Sequence, residues 1–155
     1  MTRRTLIYTV ETDGRDKGKK FLITEMSPWD GEKWGVNCLL AFMKGGINLP
    51  QGYETTGLSG LAALGFQMFS SLDWETLEPL FNQMMKCVEF VIEIKNQPIT
   101  RPLTNDGINF DIEDSITLME IKYQVWKMHV DFLKAVIRLI SPEMSAQENT
   151  DSQNT

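Results

Sequence analysis

The run DIEDSITLMEIKYQVWKMHVDFLKAVIRLI, residues 111–140, decides the fold. Read at 3.6 residues per turn, it is apolar on two opposite faces. One stripe is Ile112, Ile116, Met119, Tyr123, Trp126, Val130, Leu133, Ile137 and Ile140. The other is Leu118, Ile121, Val125, Met128, Phe132, Ala135 and Leu139. Thr117, Gln124, Asp131 and Arg138 fill one flank, and Glu120, Lys127 and Lys134 the other. A surface helix needs only one apolar stripe. Two stripes mean burial on both sides within one domain, or one side offered to another chain. Asp111 is expected to cap this helix, with Asp114 three residues on, and Ser141-Pro142 to end it.

Upstream, the signals alternate between strand and helix. Thr5-Leu6-Ile7-Tyr8-Thr9-Val10-Glu11 and Lys20-Phe21-Leu22-Ile23-Thr24-Glu25 are β-branched and aromatic. The stretch between them carries turn chemistry around Asp13-Gly14, so the spacing predicts a β-hairpin. Within it, Arg15-Asp16-Lys17-Gly18-Lys19-Lys20 reads as a solvated turn rather than a basic binding patch. Ser27-Pro28-Trp29-Asp30 is a helix start, with Ser27 as cap and Pro28 at the first position. That first helix is expected over 28–44, closed by Gly45-Gly46.

Residues 45–56 read as a loop punctuated by Pro50 and Gly52. A second helix follows from about Gly57 to Phe69, rich in small residues. Asp73 is expected to cap a third helix over 74–88, with Trp74, Leu77, Phe81, Met84, Met85 and Val88 on its buried face. Residues 89–95 read as a strand or extended edge and 96–111 as loop, with room for a short strand near Thr100–Leu103. Residues 142–155 are polar and too poor in apolar side chains to balance their ordering entropy, so a disordered tail is expected.

These elements give a mostly α, α+β fold: an N-terminal β-hairpin followed by a bundle of about four helices, the last one long. Residues 1–141 form one domain. At 155 residues and 42% hydrophobic, the chain can bury a core without a staple. Its net charge of −6 argues against a nucleic-acid partner, which needs clustered Lys and Arg. No signal peptide and no membrane-spanning run is expected, and the composition suits a cytoplasmic protein.

The residues offer little chemistry. Cys38 and Cys87 belong to no closely spaced pair and read as buried free thiols. The single histidine, His129, has no readable nucleophile or acid partner and reads as structural. Asp106, Asp111, Glu113 and Asp114 resemble a calcium loop only in charge. Gly57, Gly60 and Gly65 follow no convincing strand and precede no phosphate-loop lysine. No enzyme activity, cofactor or metal is expected.

Several runs together resemble a known family. Gly18-Lys19-Lys20-Phe21-Leu22-Ile23-Thr24-Glu25-Met26 leads to Glu32-Lys33-Trp34 and Leu39-Leu40-Ala41. Gly57-Leu58-Ser59-Gly60-Leu61-Ala62-Ala63-Leu64-Gly65 comes next, then Glu78-Pro79-Leu80-Phe81-Asn82-Gln83-Met84-Met85-Lys86-Cys87-Val88, then Thr100-Arg101-Pro102-Leu103. Over about 18–135 the chain resembles the tail assembly chaperones of tailed bacteriophages and prophages. The resemblance implies a small helical protein, absent from the finished virion, that binds the tape measure protein and keeps its apolar helices soluble during tail morphogenesis. It implies a possible second partner, the tail tube protein, and no catalytic residues.

A chaperone for apolar helices needs an apolar surface, adaptable side chains and charge for solubility. The nine methionines and the two-faced helix suit that role. The expected arrangement puts the Tyr123–Trp126 stripe in the core. The second stripe, Leu118, Ile121, Val125, Met128, Phe132 and Leu139, would then face a partner or a second protomer, and a homo-oligomer is expected. Two other protein-binding roles fit the same composition: a structural tail or head-completion protein of the virion, and a host-directed inhibitor.

Overall fold

The computed structural model describes residues 3–46, 58–104 and 110–140. The expected loop beyond residue 46, Asp106, the end of the last helix at Ser141-Pro142 and the tail over 142–155 lie outside these residues.

The N-terminal hairpin forms as read. Strands β1 (Thr5–Thr9) and β2 (Lys20–Thr24) pair antiparallel, with Tyr8 opposite Phe21 and Leu6 opposite Ile23. Above the turn, Val10 donates to the Lys19 carbonyl at 2.9 Å and its own carbonyl accepts from Gly18 at 2.9 Å. Two residues thus face one, a β-bulge that Gly18 accommodates with φ of +89°.

Helix α1 spans Pro28–Lys44, and the Ser27 hydroxyl accepts from the Asp30 N–H at 3.2 Å. Helix α2 spans Leu58–Met68 and continues as a tighter 3-10 turn over Phe69–Ser71. Helix α3 spans Trp74–Met85, three residues shorter than the sequence pattern predicts, because the chain turns at Lys86 and enters a strand.

That strand, β3 (Val88–Ile94), pairs with β2 and with β4 (Gln97–Pro102), so all four strands form one antiparallel sheet in chain order. Residues 97–102, within the stretch read as loop, are therefore strand, beginning earlier than the short strand allowed near Thr100–Leu103. The turn is Lys95-Asn96, with φ of +52° and +63°, the geometry of a two-residue hairpin. Neither residue is glycine, so the turn signal is faint. The prolines at 98 and 102 also argue against a strand, yet an edge strand tolerates them.

Helix α4 spans Ser115–Ile140 and packs against α1, α2 and α3. It starts three residues later than a cap at Asp111 predicts, because Asp111 is not its cap. Asp111 is buried and turned towards Arg101, which donates to it at 2.9 and 2.6 Å. Asp16, from the β1–β2 turn, instead holds the segment that leads into α4. Its carboxylate accepts from the Glu113 N–H at 2.9 Å, the Asp114 N–H at 2.8 Å and the Thr117 hydroxyl at 2.7 Å. Lys19 pairs with it at 2.8 Å. The turn read as solvated thus hides a carboxylate only 1% exposed.

The core lies between the inner face of the sheet and the helices. Phe21, Ile23 and Val88 face inward from the strands. Trp126 is the hub on the helical side: its ring centre lies 5.0 Å from Phe69, 5.8 Å from Trp34 and 6.4 Å from Phe42. Its indole N–H donates to the Ala62 carbonyl at 2.8 Å. Gly65 permits that approach, since a Cβ there would sit 2.5 Å from the indole.

Candidate protein-binding groove

Both stripes of α4 enter the core at mid-helix. Ile121, Val125, Trp126, Val130 and Leu133 are all buried. The helix is enclosed by its own domain there, and the division into a core stripe and a partner stripe is corrected accordingly. Ile121 and Val125, expected at a partner surface, are 0% exposed and offer none. Met128 is half-buried against the core, and its carbonyl accepts from Arg4 at 2.9 Å. Phe132 is half-buried against α1, where its ring passes over Gly35. Leu139 is exposed near the helix end. Leu118 alone of the six lines a groove, and the six do not form one surface.

That groove runs between α3 and the first turns of α4 and has a volume of about 860 Å³. Helix α3 contributes Trp74, Phe81, Asn82, Met85 and Lys86; α4 contributes Ser115, Leu118 and Lys122. The spacings 74–81–85 and 115–118–122 each keep one helical face. Leu103, Phe110 and Ile112 close one end. Trp74 is 62% exposed and Phe110 51%, so two large rings stand at the rim.

The placement of Trp74 follows from the cap before it. The Asp73 carboxylate accepts from the Thr76 N–H at 2.8 Å and fixes the helix start, leaving Trp74 at the first helical position. The expected buried face of α3 holds at Phe81 and Met84, with Leu77 and Met85 half-buried, but not at Trp74; Leu80, not expected on that face, is buried as well. Trp29, also at a helix start, is likewise exposed.

Two carboxylates of the groove are committed, while Asn82, Glu113 and Ser115 also line it. Asp111 is held by Arg101 and accepts from the Thr104 N–H at 2.7 Å. Burial alone would raise its pKa, but those bonds hold it below the usual carboxylate range. Asp114 accepts from the Arg15 N–H and side chain, each at 2.8 Å, which lowers its pKa too. Lys122 lies 5.0 Å over the Phe81 ring, and partial burial lowers its pKa. What remains open to a ligand is a mixed surface: the rings of Trp74 and Phe110 and the Met85 thioether, beside Asn82, Glu113, Ser115 and the basic groups of Lys86 and Lys122.

Of the residues weighed for chemistry, Asp111, Glu113 and Asp114 line this groove, and the histidine and the cysteines lie elsewhere. His129 is buried; its Nε2 accepts from the Met26 N–H at 3.0 Å, so Nδ1 carries the proton and donates to the Val125 carbonyl at 2.8 Å. Burial lowers its pKa, which keeps it neutral. Both cysteines are free and buried. Burial, aided by Asp30, pushes the Cys87 thiol up to about 11, and Cys38 is raised further. Neither is activated as a nucleophile.

The chain matches no protein-family model, no curated protein and no solved structure. Among the described residues no helix is long and apolar enough to cross a membrane.

The sequence pattern did not single out Trp74, Phe110 or Lys122 as a site. The available signal was the 74–81–85 face of α3, one step around the helix from the buried Leu77–Leu80–Met84 face.

Proposed function

We propose that the chain is a tail assembly chaperone-type protein that binds an apolar helical segment of a phage tape measure protein in the α3–α4 groove. The observation that supports this most is the groove itself, an open trough of mixed lining with the large rings of Trp74 and Phe110 exposed at its rim. Exposed aromatic and methionine side chains are the usual anchors of a helix laid in a groove. Met85 and Leu118 give it an adaptable floor. The engaged carboxylates leave no obvious acid–base pair, which favours binding over catalysis. Lys86 and Lys122 favour a partner helix with acidic residues beside its apolar stripe. The tail tube protein is the second proposed partner, and the host bacterial cytoplasm the proposed location.

The test is co-expression of the full chain with the tape measure protein from the same gene neighbourhood. The expected result is a soluble complex that co-elutes on sizing, lost in Trp74→Glu and Leu118→Glu variants that keep their circular dichroism. A tape measure protein that aggregates equally with and without the chain overturns the reading. Recovery of the chain in purified mature particles would point instead to a structural virion protein.

A further inference from the structure

The two edges of the sheet are not alike. In β4 the two-residue turn makes Ile94 and Gln97 a hydrogen-bonded pair, so Gln97, Ile99 and Arg101 point their backbone groups at β3. Pro98, Thr100 and Pro102 point theirs outward. Two of those three positions are proline, so this edge has little to offer another strand.

The β1 edge has no such protection. Val10 bonds to Lys19, and the Arg4 carbonyl accepts from the Glu25 N–H at 2.9 Å, so the even-numbered residues of β1 face β2. The N–H and C=O groups of Thr5, Ile7 and Thr9 therefore point away from the sheet. The strand has no proline and no charge, and Leu6 is 40% and Ile7 53% exposed.

We propose that two copies of this chain pair through β1, antiparallel about Ile7, joining their two sheets into one. The sequence of the strand is complementary to itself in that register. Ile7 meets its own copy, and Thr5 meets Thr9 of the second copy, each as a hydrogen-bonded pair that uses the free N–H and C=O groups. Leu6 meets Tyr8 of the second copy on the helical side, covering an exposed leucine. One step beyond the strand, Arg3 stands opposite Glu11 of the second copy. Both are exposed, and neither forms an ion pair among the described residues. The two-fold axis makes this charge match twice. A register shifted by two residues loses both the central isoleucine pair and the charge match.

The test uses the full chain in light scattering and sedimentation over a range of concentrations. A dimer is expected, with Ile7→Lys raising its dissociation constant by about tenfold or more, because like charges then face each other at the axis. Ile7 lies on the sheet face away from the helices, so the folded monomer should persist. Ile7→Cys should form a disulfide-linked dimer rapidly, since hydrogen-bonded antiparallel pairs hold their Cα atoms about 5.5 Å apart, within disulfide reach. The native Cys38 and Cys87 are buried and do not compete.

If Ile7→Lys fails to fold, charge reversal decides. Arg3→Glu alone should weaken the dimer, and Arg3→Glu with Glu11→Arg should restore it. A chain that stays monomeric at every concentration overturns the proposal. So does a dimer indifferent to both the Ile7 and the Arg3 changes. Neither result bears on the α3–α4 groove.

Discussion

The carboxylate of Asp16 accepts a 2.7 Å hydrogen bond from the Thr117 hydroxyl, tying the first turn of the chain to the first turn of its last helix. Both residues are buried. Lys19 extends the tie, bonding to Asp16 and to the Asp111 carbonyl at 2.9 Å. Arg101 and Thr104 then hold the Asp111 side chain. The two hairpins and the start of α4 thus meet in one polar knot at the end of the groove that carries Phe110 and Asp114.

Asp16→Ala should therefore be among the most damaging polar changes in the chain. It would leave the Thr117 hydroxyl, two backbone N–H groups and Lys19 without their acceptor. Removing one member of a buried, hydrogen-bonded charge set costs about 3–5 kcal/mol. Urea denaturation at pH 7 would measure it. A loss below about 1 kcal/mol would mean that water replaces the carboxylate freely.

The same residue sets an acid limit. Burial alone would raise the pKa of Asp16, but the bonds from Lys19, Glu113, Thr117 and Asp114 hold it well below the usual range. A carboxylate depressed in the folded state contributes stability above its unfolded pKa, about 3.9. That contribution is lost as pH falls through about 4 towards the folded value. Asp16→Asn should be less stable at pH 7 and show a shallower loss between pH 5 and 2. Parallel curves for the two proteins would contradict the assignment.

His129 adds a second slope at milder pH. Its Nε2 must stay unprotonated to accept from Met26, and burial lowers its pKa below the ordinary 6.5. Arg4 disfavours the charged form, while Glu25 and Asp131 favour it. In the unfolded chain the imidazole takes a proton as pH falls through about 6.5, so stability should decline from there downwards. His129→Leu should flatten that decline. At pH 7 it should cost about 1–3 kcal/mol, because the Met26 N–H loses its acceptor. Thermal melts at pH 7, 6 and 5 decide it.

Gly65→Ala isolates the packing of α2 on α4. Alanine is the better helix former by about 1 kcal/mol. Its Cβ would nevertheless lie 2.5 Å from the Trp126 ring, which is fixed by its bond to Ala62. Overpacking of this kind costs about 1–3 kcal/mol, so a net loss is expected in the melting temperature. A raised melting temperature would show that the indole can shift.

The legible parts of this fold are the local ones. Ser27 and Asp73 cap the helices that follow them, because a cap needs only a side chain and an N–H a few residues on. The long helix is visible in its periodicity. The start of α4 is not, since the carboxylate that holds the segment before it comes from Asp16, far back in the chain. Strand β4 is obscured by its prolines and by a turn without glycine. Periodicity also could not divide the two stripes of α4, because packing against three other helices buries residues of both at mid-helix. The groove emerges only when α3 and α4 are set side by side.

That enclosure separates two kinds of substitution. Val125→Asp should unfold the protein, placing a charge at a site with no exposure, at a cost of several kcal/mol. Trp74→Ala should leave stability within about 0.5 kcal/mol, because most of the ring is in solvent. If the groove holds a partner helix, the order reverses for binding among folded variants. Trp74→Ala should cost the complex about 2 kcal/mol or more, as loss of an anchoring aromatic does. Phe132→Ala, on the α1 side, should change binding little while lowering stability. Circular dichroism melts and pull-down of a tape measure protein, run on the same preparations, read both quantities. Equal binding by wild type and Trp74→Ala would move the contact surface away from this groove.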